Sequence, residues 1–531
     1  MTRAAGSADA LLARLTEELA PLERAVNEAW WDSNVASSPE TDARRVELEQ
    51  QLSDRYADAE AYADLTAALS PAPADPLVAR SLDMLRRRFA AEQLPAEIRT
   101  ELVRLNAECD SVYATFRGDA GGRRWNDNEI EQVLVTSDDS DERRAAWEAS
   151  KQVGAEVVGR VQRLVELRND AAGRLGWPNY YRMSLELDEL SEERLFGFLD
   201  ELEQVTNAPF AELKAGIDAA LAARFGVDIA ELMPWHYADP FFQEAPREAS
   251  GVELDSVFAE RDVTALTLET YSGIGLDLSS VVGRSDLYTR EGKNQHAFCI
   301  AVDRGDDIRV LANVLPNERW ASTMLHEFGH AAYDASIGRD LPWALRTAAH
   351  TATTEAAAML FGRLAKDPGW LRDVARLSPA EVGEVGDAAA ASLRAQMLIF
   401  ARWVLVMCWF ERDLYTEAGL DANARWWRYV SRFQGLRVPA GRSTQPDWAA
   451  KLHLALAPVY YQSYMLGECI ASQLAGTVRE RGGRLYGDVV TGEWLAEAFF
   501  RPGARERWDR LVVSATGHPL STAAFVAEFL T

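Results

Sequence analysis

Apolar positions recur every three to four residues through most of this chain, the period that lays one stripe of an α-helix against a core. From Ala8 to about Leu69 the spacing predicts helices, broken at Trp30-Trp31-Asp-Ser-Asn, and the proline-rich Ser70–Pro76 predicts a turn. Helix resumes from Leu77 to Phe116, followed by a loop at Arg117–Gly122. Glu142–Leu175 reads as one long helix ending at Gly176-Trp-Pro178, and Ser191–Phe225 as a pair. Trp235–Phe242 is aromatic and irregular, and its His236 reads as a satisfied core or surface histidine rather than a ligand. Ser392–Tyr415 is strongly apolar and helical. Arg425–Gly435 then leads into a Pro/Gly/Ser loop ending at Pro446, and Ala450–Tyr464 is followed by helix to about Arg479. Period-two alternation is scarce: His296–Val302 and Ile308–Ala312, joined by the turn Asp303–Asp307, predict a β-hairpin. The expected fold class is therefore mainly α with one small antiparallel hairpin. No linker, repeat or low-complexity tract divides the 531 residues, so residues 1–531 are expected to form one large unit.

Within the stretch Ala321–Asp334, ASTMLHEFGHAAYD, His326, Glu327 and His330 form the pattern H-E-x-x-H. Helical positions i and i+4 share a face, so the two imidazoles can converge on one metal ion with Glu327 beside them. That is the geometry needed for peptide hydrolysis: zinc lowers the pKa of a bound water toward about 7, and a neighbouring carboxylate takes its proton. With only seven histidines in the chain, chance rarely makes this pattern. Pro316-Asn317 supplies a helix start and Gly338 a stop. A catalytic zinc takes three protein ligands. Asp334 lies on the same helix but about 12 Å along the axis from His326, too far to share one ion at about 2 Å from each donor. The third ligand is expected from a second helix, at Glu355, which opens an apolar helical run. Beside a zinc helix, the hairpin either offers a free edge to an extended peptide or merely packs beneath the helix. His453 and the tyrosines of Ala450–Tyr464 either donate hydrogen bonds to an oxyanion or belong to the core.

Composition narrows this further. A net charge of −26 argues against nucleic acid, whose phosphates need a basic footprint. The start of the chain carries acidic residues early and has no apolar core of signal-peptide length. No uninterrupted run of 18 apolar residues occurs, so no membrane span is expected. Cys109, Cys299, Cys408 and Cys469 show neither metal-type nor disulfide-type pairing, which predicts a cytoplasmic protein with reduced thiols.

In order along the chain stand Asn27-Glu-Ala-Trp, Ala146-Trp147-Glu148, His296-Ala297, His326-Glu-Phe-Gly-His330, Leu341-Pro-Trp-Ala-Leu-Arg346 leading to Glu355, Trp426-Trp427, Phe433-Gln-Gly435, and Ala450-Lys-Leu-His453 leading to Tyr464. This series resembles the angiotensin-converting-enzyme family of zinc peptidases. The resemblance implies a single peptidase domain, a helical ellipsoid of two lobes split by a deep channel with one zinc at its floor. It implies His326, His330 and Glu355 as ligands, Glu327 as general base and later acid, and His453 and Tyr464 as the pair that stabilises the tetrahedral intermediate. Lys451 and Tyr461 fall where the family holds a substrate's terminal carboxylate, although an extra residue after His453 leaves Tyr460 as the alternative. His296 and Ala297 match the edge that binds substrate backbone.

Departures from the family change some expectations. Met359 stands where the family places an aspartate supporting the zinc site, and Gln295 where it has one of two hairpin cysteines. A further glutamine of the carboxylate site finds no counterpart near Glu260 and Arg261. Two arginines that bind chloride in animal members correspond to Ser463 and Val430, so chloride is not expected to be required. The expected activity is release of dipeptides from the C-terminus of short peptides. The alternatives are an endo-oligopeptidase of the thimet type and a catalytically silent peptide-binding protein.

Overall fold

A computed structural model describes residues 8–246, 249 and 254–530. The first seven residues, on which part of the leader argument rests, lie outside the described residues. The chain is mainly helical, with two two-stranded antiparallel sheets among the described residues. The first comprises β1, Gly118–Ala120, and β2, Arg123–Trp125; the second β3, Phe298–Ala301, and β4, Ile308–Leu311. The chain divides into two compact units, one of Met1–Gln93, Leu254–Gly386 and Leu466–Phe525, the other of Leu94–Glu253, Asp387–Met465 and Val526–Thr531.

The first unit is organised around two helices, Glu318–Ser336 and Thr351–Gly362. Asn317 caps the first by accepting from the Trp320 N–H at 2.9 Å. His350 caps the second through Nδ1, which accepts from the Ala352 N–H at 2.8 Å. Small residues face each other where they pack: Ala331, Ala332 and Ala356–Ala358 are all buried. At Gly329 an added Cβ would lie 2.6 Å from the Ala358 Cα and 2.9 Å from the Ala357 carbonyl oxygen. The backbones thus approach more closely than any other residue at 329 permits. The Ser322 hydroxyl donates to the Gly362 carbonyl at 3.0 Å, and Tyr271 donates to the Leu325 carbonyl at 2.6 Å.

Beside these helices lies the hairpin, in register Phe298↔Leu311 to Ala301↔Ile308. The far side of β4 is covered by a bridge from Asp286. His296 and Ala297 stand just before β3 rather than within it, because the Asn294 side chain accepts from the His296 N–H at 2.9 Å and turns the chain there.

The second unit contains Ser140–Arg174, Glu192–Phe225 and most of Pro379–Thr416. Its core holds Trp147, Trp403, Trp426, Trp427, Phe410 and Trp448. The irregular Trp235–Gln243 segment is held by buried polar groups. Arg143 donates to the carbonyls of Trp235 and Tyr237 at 2.8 and 2.9 Å, and Gln434 to those of Phe241 and Phe242 at 2.9 and 2.7 Å. His236 is indeed satisfied: Nδ1 accepts from the Met233 N–H at 2.9 Å, and Nε2 lies 3.3 Å from the Ser140 hydroxyl.

Four expectations are corrected. The first helix runs unbroken through Trp30-Trp31 to Val35 and stops before the capping serine Ser38. Ser191–Phe225 is one helix, running through Pro209. The loop Arg117–Gly122 contains β1 and turns into β2 through Gly121 and Gly122, both at positive φ. Finally, Pro379–Thr416 is long and apolar enough to cross a membrane by length and composition, although 72% of its most apolar window is buried within the protein, as for a core helix. Counting uninterrupted apolar runs overlooks such a helix, because scattered polar residues interrupt it without making it polar on average.

Candidate metal centre and substrate groups

In the first unit, donor atoms of His326, His330 and Glu355 all lie within 4.8 Å of one another. The His326 Nε2 is 3.8 Å from the Glu355 Oε2, and the two imidazoles meet edge-on with centroids 5.0 Å apart. Two nitrogens and one carboxylate oxygen are a donor set that would suit zinc. Glu355 is buried in the second helix rather than exposed at its start. Gly467 lets it sit there, since a Cβ at 467 would come 2.9 Å from the Glu355 Cβ. Burial holds His326 down to about 4, and burial together with the His326 charge holds His330 well below the ordinary range. Both imidazoles are therefore neutral at pH 7, the form that binds metal.

Thr354, which the sequence reading passed over, supports His330: its hydroxyl lies 2.7 Å from Nδ1. With Nδ1–H donating there, Nε2 keeps its lone pair for a metal. The signal was its position immediately before Glu355. Met359 is buried and brings no acceptor, so polar support falls on His330. Among the described residues the polar group that approaches His326 Nε2 is the Glu355 carboxylate.

Glu327 is enclosed. Burial, then the neighbouring Glu355 carboxylate, pushes its pKa up to about 8, while a hydrogen bond from the Cys299 backbone N–H acts the other way. A cation between the ligands acts in the same downward sense. This carboxylate can accept a proton near neutral pH and return it.

The remaining predicted groups lie in the second unit. The half-buried Lys451 ammonium donates to the Gln243 Oε1 at 2.8 Å and lies 5.6 Å from the Tyr461 ring centre. Burial lowers its pKa to about 8 against the upward pull of Asp239 and Glu244. Gln243 is thus the glutamine beside Lys451, whereas Arg261 donates to the Ala375 carbonyl at 2.7 Å. The aromatic Trp235–Phe242 segment just before it was the available signal. The Tyr461 ring faces both Lys451 and His453, the latter at 4.8 Å. The His453 Nδ1 is buried without a hydrogen-bond partner. Tyr464 packs against Phe400 and Tyr461 with ring centres 6.2 and 5.4 Å away.

Fold and cluster together resemble those of metallopeptidases that take two histidines from H-E-x-x-H and a glutamate from a second helix. Comparison with known proteins supports an angiotensin-converting-enzyme-like member of that class. Residues 2–232 match the family described as angiotensin-converting enzyme, and residues 279–531 match peptidase family M3. The chain is 22% identical to the angiotensin-converting enzyme of Sus scrofa over 444 residues, 76% of this chain and 33% of that protein. It is 21% identical to the angiotensin-converting enzyme-like protein Ace3 of Mus musculus over 484 residues, 82% of this chain and 64% of that protein. The matched stretch thus spans about a third of the porcine enzyme and under two thirds of the mouse protein. Both matched families support zinc as the metal.

Proposed function

We propose that this chain is a zinc-dependent peptidase that releases dipeptides from the C-terminus of short peptides. The observation that carries the specificity is the half-buried Lys451 ammonium with Gln243 and Tyr461 around it, a group of donors suited to a free carboxylate. His326, His330 and Glu355 would hold the zinc. Bound there, it supplies a Lewis acid that polarises the scissile carbonyl and acidifies a water. Glu327 takes the proton from the attacking water and passes it to the leaving amine, a task suited to a carboxyl whose pKa is raised by burial. His453 and Tyr464 keep the role the resemblance implies, hydrogen-bond donors to the oxyanion, and His296 and Ala297 that of binding substrate backbone. Endo-oligopeptidase cleavage is the second reading, favoured by the family M3 match over residues 279–531. Weighing the products from a defined nonapeptide separates the readings: successive C-terminal dipeptides support the proposal, internal cuts support the second, and an intact peptide supports neither. The proposal includes a cytoplasmic location, supported by four cysteines of which none forms a disulfide. Nucleic acid is not among the proposed partners, in keeping with the net charge of −26.

Amidating a substrate's C-terminus is expected to lower kcat/KM sharply in the parent protein and little in Lys451→Met, because the ammonium acts as a point charge on that carboxylate. Equal sensitivity in both would remove Lys451 from this role.

Turnover is expected not to depend on chloride. Ser463 and Val430 are buried and uncharged, and an anion desolvated without a cation has nothing to offset the cost. The nearby Arg428 and Arg432 do not substitute: both are exposed, and Arg432 pairs with Glu203 at 2.7 Å. Initial rates in chloride and in acetate at one ionic strength should agree. A saturable several-fold rise specific to chloride would refute this and direct attention to the buried Arg402, whose guanidinium meets neutral oxygens of Phe433, Thr206 and Asn207.

A further inference from the structure

Asp334 lies on the helix of the metal cluster and takes no part in the chemistry above. It stands seven residues after Glu327, two turns along, so it occupies nearly the same stripe of the helix about 10 Å farther on. Glu327 accepts from the Cys299 N–H of β3, and Arg339, just past the helix end, donates to the Gly305 carbonyl of the hairpin turn at 2.5 Å, so the helix runs along the hairpin with Asp334 between these two contacts; the Cys299 thiol is pushed well up by burial and then by Asp334 and Glu327. Cys299 is paired with Val310, and the N–H and C=O of Val310 are taken by the Ser285 hydroxyl and the Asp286 N–H on the far side of β4. By the alternation of an antiparallel pair, the backbone groups of Cys299 therefore also point outward, along the edge of β3 away from β4. Asp334 thus lies along a strand edge whose Cys299 carbonyl is open for pairing, the Cys299 N–H being held by the Glu327 carboxylate.

Asp334 itself lacks a partner. Among the described residues no donor bonds its carboxylate and no ion pair reaches it. The guanidinium of Arg339, the cation nearest in effect, is engaged with the carbonyls of Asp334 and Ile337 at 3.4 and 3.3 Å and with the Asp306 carboxylate at 3.3 Å. Burial accordingly pushes Asp334 up to about 7, with Arg339 only partly opposing it.

An extended peptide on that edge advances about 3.4 Å per residue, so Asp334 lies about three residues from the bond attacked beside Glu327. A departing C-terminal dipeptide extends only about 7 Å from that bond. Asp334 is therefore beyond its reach, and a substrate group that meets Asp334 belongs to the other side of the bond. We infer that Asp334 is a specificity determinant that takes a cationic group of the substrate, an ammonium or guanidinium, about three residues on the N-terminal side of the scissile bond. This rests on the dipeptide release proposed above. The cation has two sources, a lysine or arginine side chain or the peptide's own N-terminus.

The test uses N-acetylated hexapeptides that differ only three residues upstream of the scissile bond, lysine against norleucine against glutamate, and pentapeptides whose first residue stands there, with and without an N-acetyl group. Lysine over norleucine is expected to raise kcat/KM about tenfold in the zinc-loaded parent. The ratio should fall to near one in Asp334→Asn and turn in favour of glutamate in Asp334→Lys. Loss of the same advantage on acetylating the pentapeptides identifies the N-terminus as a second source. Peptide affinity for zinc-loaded Glu327→Gln, read by fluorescence anisotropy with and without Asp334→Asn, gives the ratio without turnover. Dipeptide release indifferent to charge, or a preference that survives Asp334→Asn, overturns the inference and leaves the activity reading intact. Internal cuts that still follow Asp334 overturn the activity reading and uphold the cationic subsite.

Discussion

Glu327→Gln is expected to bind zinc at one equivalent per chain and to lose at least about a thousandfold in kcat, since it removes a general base that also returns the proton. The argument separates holding the metal from moving the proton. His326, His330 and Glu355 supply the three convergent donors, while Glu327 projects beside them and receives a hydrogen bond from the Cys299 backbone. Glutamine preserves volume and can still accept that hydrogen bond, so the helix contact with β3 survives. It cannot take a proton from water. Metal content by atomic absorption and single-turnover rates on a peptide measure the two properties independently. Near-parental turnover at full zinc occupancy would refute the assignment of Glu327. Loss of zinc would instead show that the substitution had disturbed the cluster.

Much of this was legible in the sequence because helical periodicity fixes faces. H-E-x-x-H places two imidazoles together on any straight helix, and the apolar run after Glu355 marks a second helix that has to be buried. Less legible was what depends on contacts between segments distant in sequence. Thr354 matters only because His330, 24 residues earlier, packs against it. Gln243 matters because Lys451, 208 residues later, donates to it. Neither spacing has a period. Local pattern also misplaced elements where tertiary contacts prevail. Ser191–Phe225 reads as a pair of helices and Trp30-Trp31 as a break in Ala8–Val35, yet each helix continues, the former through Pro209. In the latter, Trp30 and Trp31 pack on Phe298 of β3 with ring centres 4.2 and 6.1 Å away, contacts that hold the helical turn which the local sequence does not favour.

Gly329→Ala, a change of one methyl group in a residue that touches no metal, is expected to weaken zinc binding about 10- to 100-fold, comparable to losing a residue that supports a ligand. The added Cβ would meet the Ala358 Cα at 2.6 Å, the Ala357 carbonyl oxygen at 2.9 Å and the Ala358 N at 3.0 Å. All three are backbone atoms, so no side chain can turn aside. Ordinary contact requires the two helices to separate by about 1 Å, whereas ligand distances tolerate about 0.2 Å. Gly329 lies between the ligands His326 and His330 on one helix, and Glu355 is three residues before Ala358 on the other, so the separation falls directly on the donor set. Overpacking should also cost about 1–3 kcal/mol of stability. Gly216→Ala is the control, because Gly216 is exposed inside Glu192–Phe225 with nothing within 4 Å of an added Cβ. There the same methyl group is expected to stabilise by about 0.5–1 kcal/mol through helix propensity alone. Competition with a zinc chelator gives the affinities and thermal unfolding gives the stabilities. A folded Gly329→Ala with parental zinc affinity would show that the close approach of the two helices does not set the metal geometry.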